Sequence, residues 1–248
     1  MGMLGVVTTE KERMATMEPI STYSKAAEFL SELFDMLNDE FFGGVLAKPV
    51  ISIDSSIETY ASFCLRPDAW QSDEHGDQYS LNISSEYLNR GVVEICCSIL
   101  HEMTHEYNWC YIDPSIGKEV VKDCSRGNMY HNRKFKEEAE RRGLVIDRDP
   151  LYGWTITSPG QRLLDWLQTV QLADIQLHRT IPQYAAVGGN GGTASGGSKG
   201  ANAKGSTRKR RYKEYYCPCC QVRIRTDATK ELKLRCEECD ELFELVAP

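Results

Sequence analysis

The chain has 248 residues, enough for one sizeable core plus a small accessory module, since domains usually run roughly 100 to 200 residues. Its 41% hydrophobic and 26% charged residues are ordinary for a globular protein, and no apolar run approaches the roughly 18 residues a membrane span needs, so no membrane partner is expected. A net charge of -7 excludes a protein coated in basic surface for nucleic acid.

The N-terminal stretch MGMLGVVTTEKERMATMEPI has no basic region before its short apolar start and no small-residue cleavage site after it, so secretion is not expected. Val6 disfavours myristoylation of Gly2. A cytoplasmic setting is expected, or a nuclear one in a eukaryotic host, with residues 1–20 as a flexible N-terminus. Ten cysteines in such a setting point to metal ligation or buried thiols. Cys64, Cys96, Cys97, Cys110 and Cys124 are scattered and read as core, whereas Cys217, Cys219, Cys220, Cys236 and Cys239 crowd into the last 32 residues and read as a site.

From Ser21 to Phe42, Ala26, Phe29, Leu30, Leu33, Phe34, Leu37 and Phe41 recur at three- and four-residue steps, which predicts an amphipathic helix stopped by Gly43 and Gly44. Short strands are predicted at 49–54, 60–64 and 79–84, forming a small antiparallel sheet. A second helix, from about Ser85 to Tyr111, carries Leu88, Val92, Ile95, Cys96, Ile99 and Leu100 on one face and reads as the buried central helix. A third begins near His131 and stops at Gly143, and a fourth covers 160–178. Residues 187–205 are almost entirely Gly, Ala, Ser, Asn and Thr, too poor in apolar surface to fold, and read as a flexible linker. The organisation is an α+β domain at 21–180, a Gly-rich and basic linker at 181–213 and a small module at 214–248.

Within the second helix lies HEMTH. Residues four apart share a helix face, so His101 and His105 can offer two imidazole nitrogens to one zinc ion. Glu102 can take a proton from a water in the open coordination position, the role of a general base. A catalytic zinc usually keeps a third protein ligand. The metzincin pattern would need glycine and histidine where the chain has Asn108 and Tyr111. Glu119 is a gluzincin-type candidate, but paired with Asp123 on a short helix it reads as a solvated charge pair. His131 is favoured, because it opens a helix whose Phe135 and Ala139 share its face and would turn it toward HEMTH. The strand at 79–84 just before the active-site helix offers an edge to which an extended peptide substrate could add.

Near the C-terminus, Cys217 and Cys220 form one CxxC and Cys236 and Cys239 another, with 15 residues between the pairs. Four thiolates at this spacing predict a zinc ribbon with a closed, structural site, and Cys219 is left as a spare thiol. A redox CxxC would need a βαβ scaffold that the sequence lacks. Ahead of the ribbon, Arg208, Lys209, Arg210 and Arg211 with Tyr212, Tyr215 and Tyr216 combine cations and rings suited to phosphate contact and base stacking, which makes DNA an expected partner. The ribbon itself opposes this with eight acidic residues against five basic ones.

Taken together, the stretches FFGGVLAKPVISI, YSLNISSEYLNRGVVEICCSILHEMTHEYNW and YHNRKFKEEAERRGL resemble the SprT-like metallopeptidase domain, the family that includes the Spartan proteases, over approximately residues 22–180. The HEMTH and HNRKF segments carry the specific part. The resemblance implies a zincin-like fold, zinc ligation by His101, His105 and His131, Glu102 as the catalytic carboxylate, and protein substrates crosslinked to or bound on DNA. Proteins of that family often end in a zinc ribbon. The interval from His105 to His131 is longer than in Spartan and is closer to bacterial and phage members. The expectation is a zinc metalloendopeptidase with one catalytic and one structural zinc. The alternative left open is a non-proteolytic, nucleic-acid-associated or transcription-related factor that keeps the fold.

Overall fold

A computed structural model describes residues 18–125, 128–181, 213–227, 231–237, 239 and 241–246. The first predicted helix is α1 (Tyr23–Leu37), whose Ala26, Leu30, Leu33, Phe34 and Leu37 form a fully buried stripe. The next five residues, Asn38–Phe42, wind as a π turn that carries Phe41 and Phe42 into the core. Gly43, at φ 68°, then ends the helix.

Strands β1 (Val50–Asp54), β2 (Ala61–Cys64), β3 (Trp70–Ser72), β4 (Gly76–Gln78) and β5 (Ser80–Ser84) follow, with β3 and β4 forming an outlying hairpin. The remaining three form a sheet in the order β1-β5-β2, in which β1 is parallel to β5 and β2 antiparallel to it. The expected antiparallel sheet is therefore mixed. Residues 55–79 make a connection long enough to return the chain parallel to β1.

The central helix is α2 (Val92–Trp109), with Ile95, Cys96, Ile99, Leu100 and Met103 all buried. The expected single helix from 85 is broken at Gly91, where φ is 104°, and Ser85–Arg90 form a 3-10 turn instead. Val92 N–H is capped from far along the chain, by the Asp174 carboxylate at 2.8 Å.

Beyond α2 come β6 (Cys124–Ser125), β7 (Tyr130–His131), α3 (Arg133–Arg141), β8 (Leu144–Asp149), β9 (Gly153–Pro159) and α4 (Gln161–Thr169). The four strands make a second sheet, β6-β7-β9-β8, that sequence reading did not anticipate. The β8–β9 register shifts between Asp147 and Arg148, so Thr155 is an extra residue on β9. The predicted fourth helix stops at Thr169, and the following chain runs extended, with Ile175 bridging Ile20.

Both sheets and helices share one core, from Leu30 and Phe34 through Leu100 and Met103 to Phe135, Leu144 and Leu163. A second, smaller cluster joins Tyr130 to Cys217, Cys219, Cys220, Cys236 and Cys239. The C-terminal module that contributes these cysteines folds as β10 (Lys213–Tyr216), β11 (Arg223–Thr226) and β12 (Glu244–Leu245), in the order β11-β10-β12. The Gly-rich segment 187–205 and Arg208, Lys209, Arg210, Arg211 and Tyr212 lie outside the described residues. Among the described residues no helix is long and apolar enough to cross a membrane.

Gly153 registers β9 against β7. It pairs with His131 at φ 76°, and a Cβ there would fall 2.1 Å from the His131 carbonyl oxygen and 2.7 Å from the Tyr130 ring. Gly153→Ala should lower stability by about 2 kcal/mol or more, through left-handed strain plus the clash. An unchanged denaturant midpoint would show that this contact does not set the strand pairing.

Candidate metal centre

Helical spacing places His101 and His105 on one face of α2, and the end of β7 brings His131 across from them. The three Nε2 atoms converge: His131 Nε2 lies 3.1 Å from that of His101 and 3.1 Å from that of His105. Phe135, in the first turn of α3, forms the floor, with its ring centroid 4.5, 4.6 and 4.8 Å from those of His101, His105 and His131. The sequence reading is thus corrected on one point. His131 does not open the helix; it ends a strand, and Asn132 caps α3 by accepting Lys134 N–H at 2.8 Å. The cap turns the chain sharply enough for His131 and Phe135 to meet.

The outward nitrogens of the two α2 histidines are committed elsewhere. His105 Nδ1 is 2.8 Å from Asp123 Oδ2, and His101 Nδ1 is 2.9 Å from Thr157 Oγ1. Thr157 donates its own hydroxyl to the Thr155 carbonyl at 3.1 Å, so it accepts from His101. Each imidazole therefore carries its proton on Nδ1 and turns a bare Nε2 lone pair inward. The bulge at Thr155 is what aims this part of β9 at the site.

Asp123 is fully buried and also accepts from Asn108 Nδ2 at 3.0 Å and from Trp109 Nε1. Burial pushes its carboxyl up, but His105 and these hydrogen bonds outweigh burial and hold it below the usual range. The same pair acts in reverse on His105, where burial pushes down and Asp123 pulls the imidazole above its ordinary value. His101 is held well below the ordinary value by burial and by the neighbouring His105 and His131, and His131 is pushed down to about 4 by burial and by His105. Sequence reading took Asp123 as one of a solvated acidic pair with Glu119. Only Glu119 is exposed, and it stands apart from the histidines. No helix links the two acids, and Asp123 belongs to the site.

Glu102 faces the same space. Its Oε2 accepts Phe63 N–H from β2 at 2.9 Å, and burial raises its carboxyl against the opposing pull of His105 and that hydrogen bond. Glu106, one turn further on, has the opposite character. It is buried with neither oxygen partnered, pushed up to about 8 by desolvation, and so stays protonated near neutrality.

Over this group lies an open cleft of about 820 Å³, walled by β2 on one side and by Thr155, Ile156 and Thr157 on the other. The strand beside it is β2, not β5. The expected free edge at 79–84 does not exist, because β5 is paired on both sides, by β1 and β2. Strand order cannot be read from three short apolar runs.

Three groups among the described residues could hold a metal ion: His101, His105 and His131; the four cysteines Cys217, Cys220, Cys236 and Cys239; and His105, Asp123 and Cys124, which shares His105 with the first. All four cysteines are buried, with Cys220 Sγ 3.7 Å from Cys236 Sγ. Comparison with family models, with curated proteins and with solved structures finds no match for this chain.

Asp123→Asn should cut metal affinity of the histidine group by about 10- to 100-fold, because it removes the charge that orients His105 and raises its basicity. Competition against a chromophoric chelator measures this. Affinity within twofold of the parent protein would mean that Asp123 only supports packing.

Proposed function

We propose that this chain is a zinc-dependent metalloendopeptidase of zincin-like fold, similar to the SprT-like family, with a structural zinc in a C-terminal ribbon. The observation that carries the reading is the convergence of three Nε2 atoms beside the Glu102 carboxylate in an open cleft. Zinc–nitrogen bonds of about 2.0–2.1 Å at tetrahedral angles put ligand nitrogens roughly 3.3 Å apart, close to the 3.1 Å found here. Zinc–sulfur bonds of about 2.3 Å put thiolates roughly 3.8 Å apart, close to the 3.7 Å between Cys220 and Cys236. Three ligands beside a cleft leave a position for chemistry, whereas four buried thiolates close theirs.

Bound zinc supplies Lewis acidity toward a peptide carbonyl and lowers the pKa of a water toward ~7. The remaining work falls to the chain. Phe63 N–H holds one oxygen of Glu102, which leaves the other to take the proton of the attacking water and pass it to the leaving amine. The raised carboxyl pKa suits both transfers. Asp123 and Thr157 keep the imidazoles in the tautomer that ligation needs. β2, as an edge strand on the cleft, offers main-chain groups to an extended substrate, a mode that is tolerant of side-chain identity.

Glu102→Gln should keep zinc bound while cleavage of a denatured or DNA-bound protein falls by about 10²- to 10⁴-fold. Cleavage at the parent rate in that variant sinks the mechanism, and a metal-free variant would move Glu102 from base to ligand support.

DNA-associated proteins as the substrate class rest on the resemblance and on the basic run before β10. Tyr215 is not available for base stacking, being buried within the module with its hydroxyl accepting Leu232 N–H, and the Tyr216 hydroxyl donates to Glu244. Phosphate contact therefore falls to Arg208, Lys209, Arg210 and Arg211. Neutralising these four should weaken DNA binding and reduce the log–log salt slope by about 3. An unchanged slope would remove DNA from the proposal and leave the peptidase reading standing.

A further inference from the structure

His131 stands on the least secure piece of backbone in the site. Strand β7 has two residues, paired with the two of β6 and through one residue to β9. What holds the chain on either side of it comes from the C-terminal module. Tyr130 is fully buried, yet its ring lies in the cysteine cluster and not in the main core. Its hydroxyl donates to the Cys219 carbonyl. Arg148 clamps the same junction, donating from Nη2 to the Tyr130 hydroxyl at 3.2 Å and to the Pro218 carbonyl at 2.7 Å.

On the other side of His131, the first turn of α3 has N–H groups with no partner inside the helix. Asn132 takes those of Lys134 and Phe135. The remaining one at the helix start, Arg133 N–H, is taken by Cys219 Sγ at 3.1 Å, across 86 residues of sequence. Arg133 also forms an ion pair with Glu241 of the module. Cys219 is thus the fifth cysteine of the cluster and stands outside the four that could hold a metal. Its carbonyl and its sulfur bind the residues on both sides of His131.

We infer that the C-terminal module is a structural part of the histidine site, with Cys219 and Tyr130 acting as positioning residues that fix His131 and slow the loss of the metal it holds. The inference rests on the proposed ligation of zinc by His101, His105 and His131. It differs from a tethered, independently acting ribbon, for which changes at Cys219 would leave the histidine site untouched.

The test uses the full chain loaded with zinc and follows metal release to a chromophoric chelator at a temperature well below unfolding. Two zinc ions per chain are expected, released in two phases, and His101→Ala identifies the phase belonging to the histidine site by abolishing it. Cys219→Ala and Tyr130→Phe should each speed that phase by about tenfold, whatever they do to the second phase through the contact of Cys219 with Cys239, and Cys219→Ser, which restores an acceptor, should return toward the parent rate. Tyr130→Phe keeps the buried ring, so the comparison does not depend on a variant that unfolds. Two zinc ions with a histidine-site phase within twofold of the parent in both variants overturns the coupling alone. A parent protein that binds one zinc, retained in His101→Ala, overturns the metal reading of the histidines and the coupling with it.

Discussion

Three imidazole nitrogens converging at the base of an open cleft, with that of His131 3.1 Å from each of the other two, are the constraint on which the rest of this structure depends. The Nδ1 protons of the two α2 histidines point away, toward Asp123 and Thr157, so their Nε2 lone pairs face His131 Nε2 across the gap. Burial and neighbouring imidazoles depress the basicity of His101 and His131, whereas Asp123 raises that of His105, so a single proton would not serve all three nitrogens alike. A cation coordinated by all three would. The surrounding fold then reads as support: α2 is buried along most of its length, Asp123 is sunk beneath it, and β9 is bulged so that Thr157 reaches His101.

What the sequence disclosed and what it hid divide along a physical line. The HEMTH spacing is a local geometric fact about helices, and the apolar stripe of α1 is another; both emerge where expected. The paired CxxC motifs are local in the same sense. Phe135 is legible as the partner of His131, but the two do not share a helix face: His131 ends a strand and Asn132 intervenes as a cap. Hidden were features set by residues distant in sequence. Asp123 looks like a solvated carboxylate until Trp109, Asn108 and His105 are seen to enclose it. Thr157 has no motif at all. The β8–β9 hairpin, LVIDRD and GWTITSP, mixes charged and apolar residues too irregularly for a period to stand out, because its bulge breaks the alternation.

The two carboxylates that neighbour the histidines on α2 show how position, not residue type, decides chemistry. Glu102 and Glu106 are four apart and both carboxylates are shielded from water, yet Glu102 meets the Phe63 N–H and the edge of the cleft, while neither oxygen of Glu106 has a hydrogen-bond partner. Burial raises the first, and His105 and the Phe63 N–H oppose that rise. Desolvation pushes the second up to about 8 and so favours its neutral form near neutrality. An HExxHE pattern read without the fold would not have separated them.

The C-terminal module raises a question of self-sufficiency. Among its described residues few apolar side chains besides the cysteines are buried, and a segment of that size needs a staple to fold. Four thiolates around a metal would supply one, but the apolar packing around the cysteines is completed by Tyr130 and Trp154 from the larger domain. The dependence runs in both directions, since the module returns the acceptors that hold Tyr130, Arg133 and Arg148. A long linker costs such docking little, because closure entropy grows only with the logarithm of loop length. The module and the larger domain can therefore share an interface although many residues separate them along the chain.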